Sequence, residues 1–281
     1  MAENNESVNL KIVIGARRVQ AVVYEGMEIE ETVKRLQVPQ TRTACHENPS
    51  PYAELNYQRR MQARKDAFFS LVYNNFQPEH AVMVTMTFAS SSVDNSMVYS
   101  KLDNAHAEFV KFIKRLNWHY EGFKYAATFS RQKNGNWHYH MICNITDMEQ
   151  KQWVKLWKRG YVWVSPIQQE SVLREKAIYC VKNMVEVAGD DLHNEKGYLC
   201  SQGLQRNIVL RSWNEEEQGQ CWDTFDEIKD QPKKELYSCR YENQPQSEED
   251  GQMGPSYHYI KSHASFADKF DLLKSAVKRS R

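Results

Sequence analysis

The stretch KYAATFSRQKNGNWHYHMICNI, residues 124–145, predicts two strands joined by a tight turn. Asn134 and Gly135 both tolerate positive φ angles, so this pair between two apolar runs is a strong hairpin signal. A hairpin pairs its strands antiparallel, and helical and strand patterns flank it on both sides. We therefore predict an α+β fold in which helices pack on an antiparallel sheet.

Further strands and helices are predicted around this hairpin. The segments VMVTMTF (82–88) and GYVWVSPI (160–167) are short and rich in β-branched residues, which favours strands. Helices are predicted from apolar residues at helical spacing over 102–118, 147–160 and 171–187. The segments YLCSQGL (198–204) and NIVLRSW (207–213) are interpreted as a final strand pair.

Composition divides the chain into three predicted parts. Residues 1–50 are interpreted as an N-terminal extension with a small hairpin and a polar, proline-containing linker. Residues 55–213 form the main predicted domain. Residues 214–281 are acidic and low in apolar content, so they are predicted to be a C-terminal extension, with one peripheral strand pair.

Charge and cysteine content exclude several classes of protein. The net charge is +1, so no global field attracts a charged partner. The six cysteines are scattered and form no CxxC pair, which argues against a zinc ribbon and a disulfide framework. No apolar run approaches the thickness of a bilayer, and the N-terminus is not signal-like. We expect a soluble cytoplasmic protein without a membrane partner.

Two histidines lie in the second strand of the hairpin. Side chains alternate between the faces of a strand, so His138 and His140 point the same way, while Trp137 and Tyr139 point into apolar packing. Two imidazoles at this spacing can chelate one divalent metal ion. The alternative is two unrelated histidines on a solvated sheet face.

The helix over 171–187 carries a tyrosine and a lysine on its polar side. At 100° per residue, Leu173 and Ala177 lie on the apolar side, whereas Tyr179 and Lys182 lie opposite them. A phenol is a weak nucleophile at neutral pH, but a nearby cation increases its ionised fraction. The two side chains are therefore either a nucleophile with its cation or ordinary exposed residues.

A basic cluster lies in the first half of another predicted helix, AELNYQRRMQARKDAFFSLVYNNF (53–76). Its members are Arg59, Arg60, Arg64 and Lys65. The cluster is interpreted either as a solvated helix face or as a surface that contacts DNA phosphates.

Taken in order, these motifs resemble those of the HUH endonucleases, specifically the rolling-circle replication initiators of plasmids, phages and integrative elements. VMVTMTF resembles the first family motif, HYH the second, and YCVK (179–182) the third, with its tyrosine 39 residues after His140. The flanking segments AEFVKFIKRLNW, GYVWVSPI and YLCSQGLQRNI are also similar to the replication-associated subfamily. The resemblance covers roughly residues 55–213.

The resemblance implies a mechanism, a metal and partners. His138 and His140 would hold Mg²⁺ or Mn²⁺ at a phosphate of single-stranded origin DNA, with Arg131 and the basic cluster contacting the DNA. Tyr179 would attack phosphorus and form a 5′-phosphotyrosine link, with Lys182 assisting. Tyr161 and Tyr198 lie on predicted strands and are interpreted as packing residues. The sequence has no GxxxxGK[ST] loop, so a helicase and a polymerase of a bacterial host are implied as partners.

One position departs from the family pattern. The family usually places a glutamate, the third metal ligand, eight residues before the first histidine, and here that position is Ser130. We predict that the side-chain oxygen of Gln132 replaces it. A two-residue turn would put Ser130 and Gln132 on the face opposite the histidines, whereas a three-residue loop with a bulge would return both to the histidine face.

The missing carboxylate keeps two other functions open. One is a DNA-binding protein that has kept the fold but does not cleave. The other is a relaxase or transposase of the same superfamily, although relaxases usually have three histidines and an N-terminal tyrosine, which this sequence lacks. The origin sequence, the preferred metal, the host element and the oligomeric state are not determined by the sequence.

Overall fold

The computed structural model describes residues 9–16, 19–25, 53–89, 98–132, 135–185, 197–230, 236–241 and 256–262. They fall into two compact units, one formed by residues 52–206 and the other by residues 1–51 together with 207–281. The described strands of the two predicted extensions, 1–50 and 214–281, thus lie in the same unit. No helix in the described ranges is both long and apolar enough to cross a bilayer.

The unit of residues 52–206 is built on a five-stranded antiparallel sheet. Its strands are β3 (Ala81–Thr87), β4 (Tyr125–Arg131), β5 (Trp137–Cys143), β6 (Val162–Ile167) and β7 (Tyr198–Cys200). They pair in the order β6-β3-β5-β4-β7. Its helices are α1 (Ala53–Asn75), α2 (Leu102–His119), α3 (Gln150–Trp157) and α4 (Glu170–Val185), and a 3-10 turn spans Val98–Ser100. The predicted α+β class with an antiparallel sheet is confirmed.

Helices cover both faces of this sheet, because both sets of alternating strand residues are apolar along much of their length. On one face, Tyr139 and Met141 of β5 pack with Phe109 and Phe112 of α2 and with Trp153 of α3. On the other face, Met83, Ala126 and Ile142 pack with α1 and α4. We call the second surface the histidine face, since β5 directs His138 and His140 to it.

The second unit contains another five-stranded antiparallel sheet. Its elements are β1 (Asn9–Ile14), β2 (Val19–Glu25), β8 (Ile208–Arg211), α5 (Gln218–Lys229), β9 (Leu236–Tyr241) and β10 (Ser256–Ser262). The strands pair in the order β8-β1-β2-β10-β9. Leu10, Ile12 and Ile14 of β1 pack against Cys221 and Phe225 of α5. The predicted linker after β2 lies outside the described residues.

The predicted final strand pair is wrong. β7 pairs with β4 at the edge of the first sheet, and β8 pairs with β1 in the second sheet. The two segments are neighbours in sequence, but each forms an edge strand of a different sheet.

Candidate metal and nucleophile site

The two imidazoles lie side by side on the histidine face. The ring centroids of His138 and His140 are 4.7 Å apart, with the ring planes nearly perpendicular. His140 is buried and His138 is half-buried. The alternation of side chains along β5 therefore places both rings on the sheet face that α1 and α4 cover.

Neighbouring strands hold each imidazole by a hydroxyl group. Thr85 is the cross-strand partner of His140, and its Oγ1 lies 3.1 Å from His140 Nδ1. Ser130 is the partner of His138, and its Oγ lies 3.2 Å from His138 Nε2. These contacts fix the orientation of both rings.

His140 is held in its neutral form. Burial, and secondly the charge of His138, lower the pKa of His140 to about 3. A neutral imidazole that donates Nδ1–H to Thr85 keeps the lone pair on Nε2. That Nε2 atom is buried and has no hydrogen-bond partner among the described residues.

Helix α4 brings Tyr179 to the imidazoles. The ring centroids of Tyr179 and His140 are 4.9 Å apart. Leu173, Ala177 and Cys180 of the same helix are buried against the sheet, whereas Tyr179 is 47% exposed. The phenol thus lies at the boundary between the imidazoles and solvent, where a large substrate has access to it.

Lys182 lies three residues after Tyr179 on α4 and is exposed. Residues three apart on a helix are surface neighbours, so its ammonium group can reach a ligand bound at Tyr179. It is therefore positioned to add positive charge next to the phenol.

The hairpin has the three-residue loop, the longer of the two predicted alternatives. Gln132 N donates to Asn136 O at 2.8 Å, and Gly135 N donates to Gln132 O at 2.9 Å. Arg131 consequently pairs with Trp137, and Ser130 pairs with His138. Ser130 is thereby on the histidine face, and Gln132 continues the alternation on that side.

Two buried atoms of this region fit a cation. The Oε1 atom of Gln132 and the Nε2 atom of His140 are buried, and neither has a hydrogen-bond partner among the described residues. Leaving an acceptor in that state costs free energy, which a bound divalent cation would recover. Imidazole nitrogen and amide oxygen are suitable donors for Mn²⁺ and, less favourably, Mg²⁺.

The donor set is nevertheless neutral. In the described part of the chain, no group of three or more His, Cys, Asp or Glu side chains forms a metal site. Ser130 fills the position where a carboxylate would face His138, and its side chain is buried. The residues fit a divalent cation, but they supply less charge than a set that includes a carboxylate.

The predicted DNA-contacting residue Arg131 has local partners. Its guanidinium group stacks on Trp137 at 4.5 Å from the ring centroid, and its Nη1 donates to Ser100 O and Gly135 O at 3.2 and 3.1 Å. Arg131 and Trp137 lie on the face opposite the histidines. A contact with DNA on the histidine face would require the Arg131 side chain to leave these partners.

The basic cluster of α1 is only partly described. The side chains of Arg59 and Arg60 lie outside the described residues. Arg64 and Lys65 are half-buried, and Arg64 Nη1 lies 3.7 Å from Met61 Sδ, one turn earlier. Phosphate binding by this helix stays a prediction.

Of the two tyrosines predicted to be packing residues, Tyr198 does pack and Tyr161 does not. Tyr198 is half-buried and makes an edge contact with Phe68, with the centroids 5.8 Å apart. Tyr161 is 80% exposed, so its interpretation as a packing residue is wrong. It immediately precedes β6, which is an edge strand of the sheet. Trp163, in β6 itself, is 71% exposed, which no local sequence pattern indicates.

Residues 81–186 match the protein family described as Replication-associated protein ORF2/gene 2 protein. The matched range runs from β3 to α4 and contains His138, His140, Gln132, Tyr179 and Lys182. No curated protein and no solved structure matches the chain. The family match supports a role as a replication initiator.

Proposed function

We propose that this protein starts rolling-circle replication by cutting and rejoining one strand of origin DNA through a phosphotyrosine link. The observation that carries the proposal is the 4.9 Å separation between the rings of Tyr179 and His140, within the range that matches the replication-associated family. A nucleophile next to two side chains that can bind a metal ion is suited to metal-assisted phosphodiester transfer.

In the proposed reaction, the phenolic oxygen of Tyr179, which is partly exposed, loses its proton to solvent and attacks the scissile phosphorus. A bond forms between this oxygen and phosphorus, and the bond between phosphorus and the 3′-oxygen breaks. The 3′-oxygen takes up a proton and leaves as the hydroxyl that primes synthesis. The ester keeps the 5′-phosphate activated, so that a later 3′-hydroxyl can reverse the step and release Tyr179.

The other site residues prepare this step. Thr85 and Ser130 orient the imidazoles, and Lys182 stabilises negative charge on the phenolate or the phosphate. His138, His140 and Gln132 would hold Mg²⁺ or Mn²⁺, which when bound polarises the phosphate and offsets its charge. The substrate is single-stranded DNA, and a host helicase and polymerase continue from the primed end.

The test is covalent attachment to labelled single-stranded oligonucleotides that tile both strands of the parent replicon. With Mn²⁺ present, the full chain should form an adduct that survives denaturing electrophoresis and carries the label of the 3′ fragment. Tyr179→Phe should abolish the adduct and preserve DNA binding, because only the nucleophilic oxygen is removed. Tyr198→Phe is the matched control and should retain the adduct. An adduct that persists in Tyr179→Phe would disprove the assigned nucleophile.

A second function is favoured by one observation, the uncharged Ser130 at the position facing His138. Without a carboxylate, the site could bind origin DNA and not cleave it. The same assay separates the two functions. Binding of an origin oligonucleotide with no adduct in Mn²⁺ or Mg²⁺ would establish the binding-only protein.

A further inference from the structure

Two large aromatic side chains are exposed beside the histidine site. Tyr161 is 80% exposed and Trp163 is 71% exposed. Neither ring stacks on another aromatic ring within the described part of the chain. We call this pair the edge platform.

The edge platform shares a face with the imidazoles. Trp163 is the cross-strand partner of Thr85, and Thr85 is the partner of His140, so the three residues form one row across β6, β3 and β5. Tyr161 O accepts a hydrogen bond from Thr87 N at 2.9 Å, which continues the same alternation. Adjacent strands are about 4.8 Å apart, which places Trp163 about 10 Å from His140 across the sheet.

The exposure of these side chains is unusual for an edge strand. Soluble proteins commonly protect such edges with charged side chains or proline, and β6 does contain Pro166. On the histidine face, however, Tyr161 and Trp163 expose aromatic rings to solvent, where charged residues would be more soluble. An exposed tryptophan next to a candidate catalytic site points to a ligand with flat, apolar surfaces.

We propose that the edge platform stacks unpaired bases of the single-stranded DNA next to the phosphate attacked by Tyr179. This inference rests on the proposed function, because that function supplies the strand whose phosphate lies at the imidazoles. Aromatic rings bind single strands with little dependence on sequence, since every base has a flat face. With Tyr179 and Lys182 holding the phosphate, stacking on Trp163 sets the direction in which the neighbouring nucleotides leave the site.

The test measures binding apart from cleavage. Oligodeoxythymidylate with a fluorescent label is titrated with the full chain in EDTA, in a Tyr179→Phe background, and fluorescence anisotropy is recorded. Trp163→Ala should weaken binding about tenfold, in line with the loss of one base stack. Trp163→Phe keeps a ring and should restore most of the affinity. Thermal unfolding of each variant checks that the fold is intact.

Trp118 provides the matched control. It is 86% exposed and belongs to α2, which covers the face opposite the histidines. Trp118→Ala should bind the oligonucleotide as tightly as the parent protein. A second probe, an abasic strand of the same length, should bind the parent and Trp163→Ala equally, because it has phosphates and no bases.

Three results would overturn the inference. They are unchanged affinity in Trp163→Ala, an equal loss in Trp118→Ala, and absence of oligonucleotide binding by the parent protein. Failure of the proposed nicking reaction gives a different result, namely no covalent adduct while the effect of Trp163→Ala on binding persists. The two proposals can therefore fail separately.

Discussion

The hydroxyl oxygen of Thr85 lies 3.1 Å from Nδ1 of His140, and the two residues face each other across β3 and β5. The hydroxyl of Thr85 can accept a hydrogen bond from Nδ1–H of His140, and in that tautomer the lone pair on Nε2 points away from Thr85. Groups that orient a metal-binding imidazole in this way commonly contribute to metal affinity.

Replacing Thr85 by valine should weaken Mn²⁺ binding about 10–100-fold, because the shape is kept and the hydroxyl is lost. Isothermal titration calorimetry of the DNA-free protein measures this directly. Thr87→Val is the matched control, since Thr87 lies on the same strand face and its hydroxyl makes only a 3.4 Å contact with Tyr161 O. Equal affinities in the two variants would exclude an orienting role for Thr85.

Replacing Gln132 by glutamate should tighten Mg²⁺ and Mn²⁺ binding about tenfold, because a carboxylate adds charge to a neutral donor set. Without metal the same variant should unfold at lower temperature, since a negative charge replaces a buried neutral oxygen that has no partner among the described residues. Calorimetric metal titration and thermal unfolding with and without Mn²⁺ measure the two effects.

The control for this change is Gln168→Glu, at an exposed position between β6 and α4. It adds the same charge away from the imidazoles and should leave metal affinity unchanged. If Gln132→Ala binds Mn²⁺ as tightly as the parent protein, Gln132 is not a ligand.

The sequence predicted those parts of the site that depend on local geometry. Strand alternation placed His138 and His140 on one face, and helical spacing placed Tyr179 opposite Leu173 and Ala177. The distance between Tyr179 and His140 depends instead on how α4 packs on the sheet. Similarly, Asn134-Gly135 predicted the hairpin, but either loop length satisfied the apolar pattern, so the position of Ser130 was open.

The features that could not be predicted depend on long-range strand pairing. The segments 198–204 and 207–213 have strand patterns, yet nothing in them specifies that their partners are β4 and β1. Tyr161 and Trp163 lie in the predicted strand 160–167, but Val162 and Ile167 of the same segment are buried, so exposure here depends on which parts of the sheet the other elements cover. Whether a strand lies at the edge or in the centre of a sheet depends on how all the strands pair, so it cannot be predicted from the strand's own residues.

Gly160→Ala should destabilise the unit of residues 52–206 by about 1–3 kcal/mol, as expected for overpacking against atoms that cannot move aside. A Cβ atom at this position would collide with the backbone of residues 87–89. Hydrogen bonds on both sides, from Ala89 N to Arg159 O and from Thr87 N to Tyr161 O, prevent the loop from moving away. Urea unfolding followed by circular dichroism measures the change.

Gly122→Ala is the comparison for Gly160→Ala. Gly122 has a φ of +70° but nothing within 4 Å of an added Cβ atom. It should therefore cost only the backbone strain, about 1 kcal/mol. A loss in Gly160→Ala no greater than in Gly122→Ala would contradict the steric explanation.

The last prediction concerns Glu108, a buried carboxylate with two cationic partners. Its oxygens lie 2.8 Å from Lys111 Nζ and 2.7 Å from Arg159 Nε, which links α2 to the segment before β6. Burial acts to raise the pKa of Glu108, but the bonds to Arg159 and Lys111 outweigh it, so that the pKa is lowered from 4.5. The pKa of Arg159 is raised by the same bond, so both groups are stabilised in their charged forms.

A carboxyl group whose pKa is lowered by folding stabilises the folded protein above its unfolded pKa, and this contribution is lost as pH falls through the folded pKa. Glu108→Gln should therefore reduce the free energy of unfolding by about 1–2 kcal/mol near neutral pH, because both cations are partly solvated. The difference from the parent should shrink below about pH 4.5 and vanish in stronger acid. Glu175→Gln, at a side chain that is 74% exposed and 4.0 Å from Lys176, should change little at any pH. A difference for Glu108→Gln that stayed constant from neutral pH into acid would show that the loss comes from packing and not from the ion pairs.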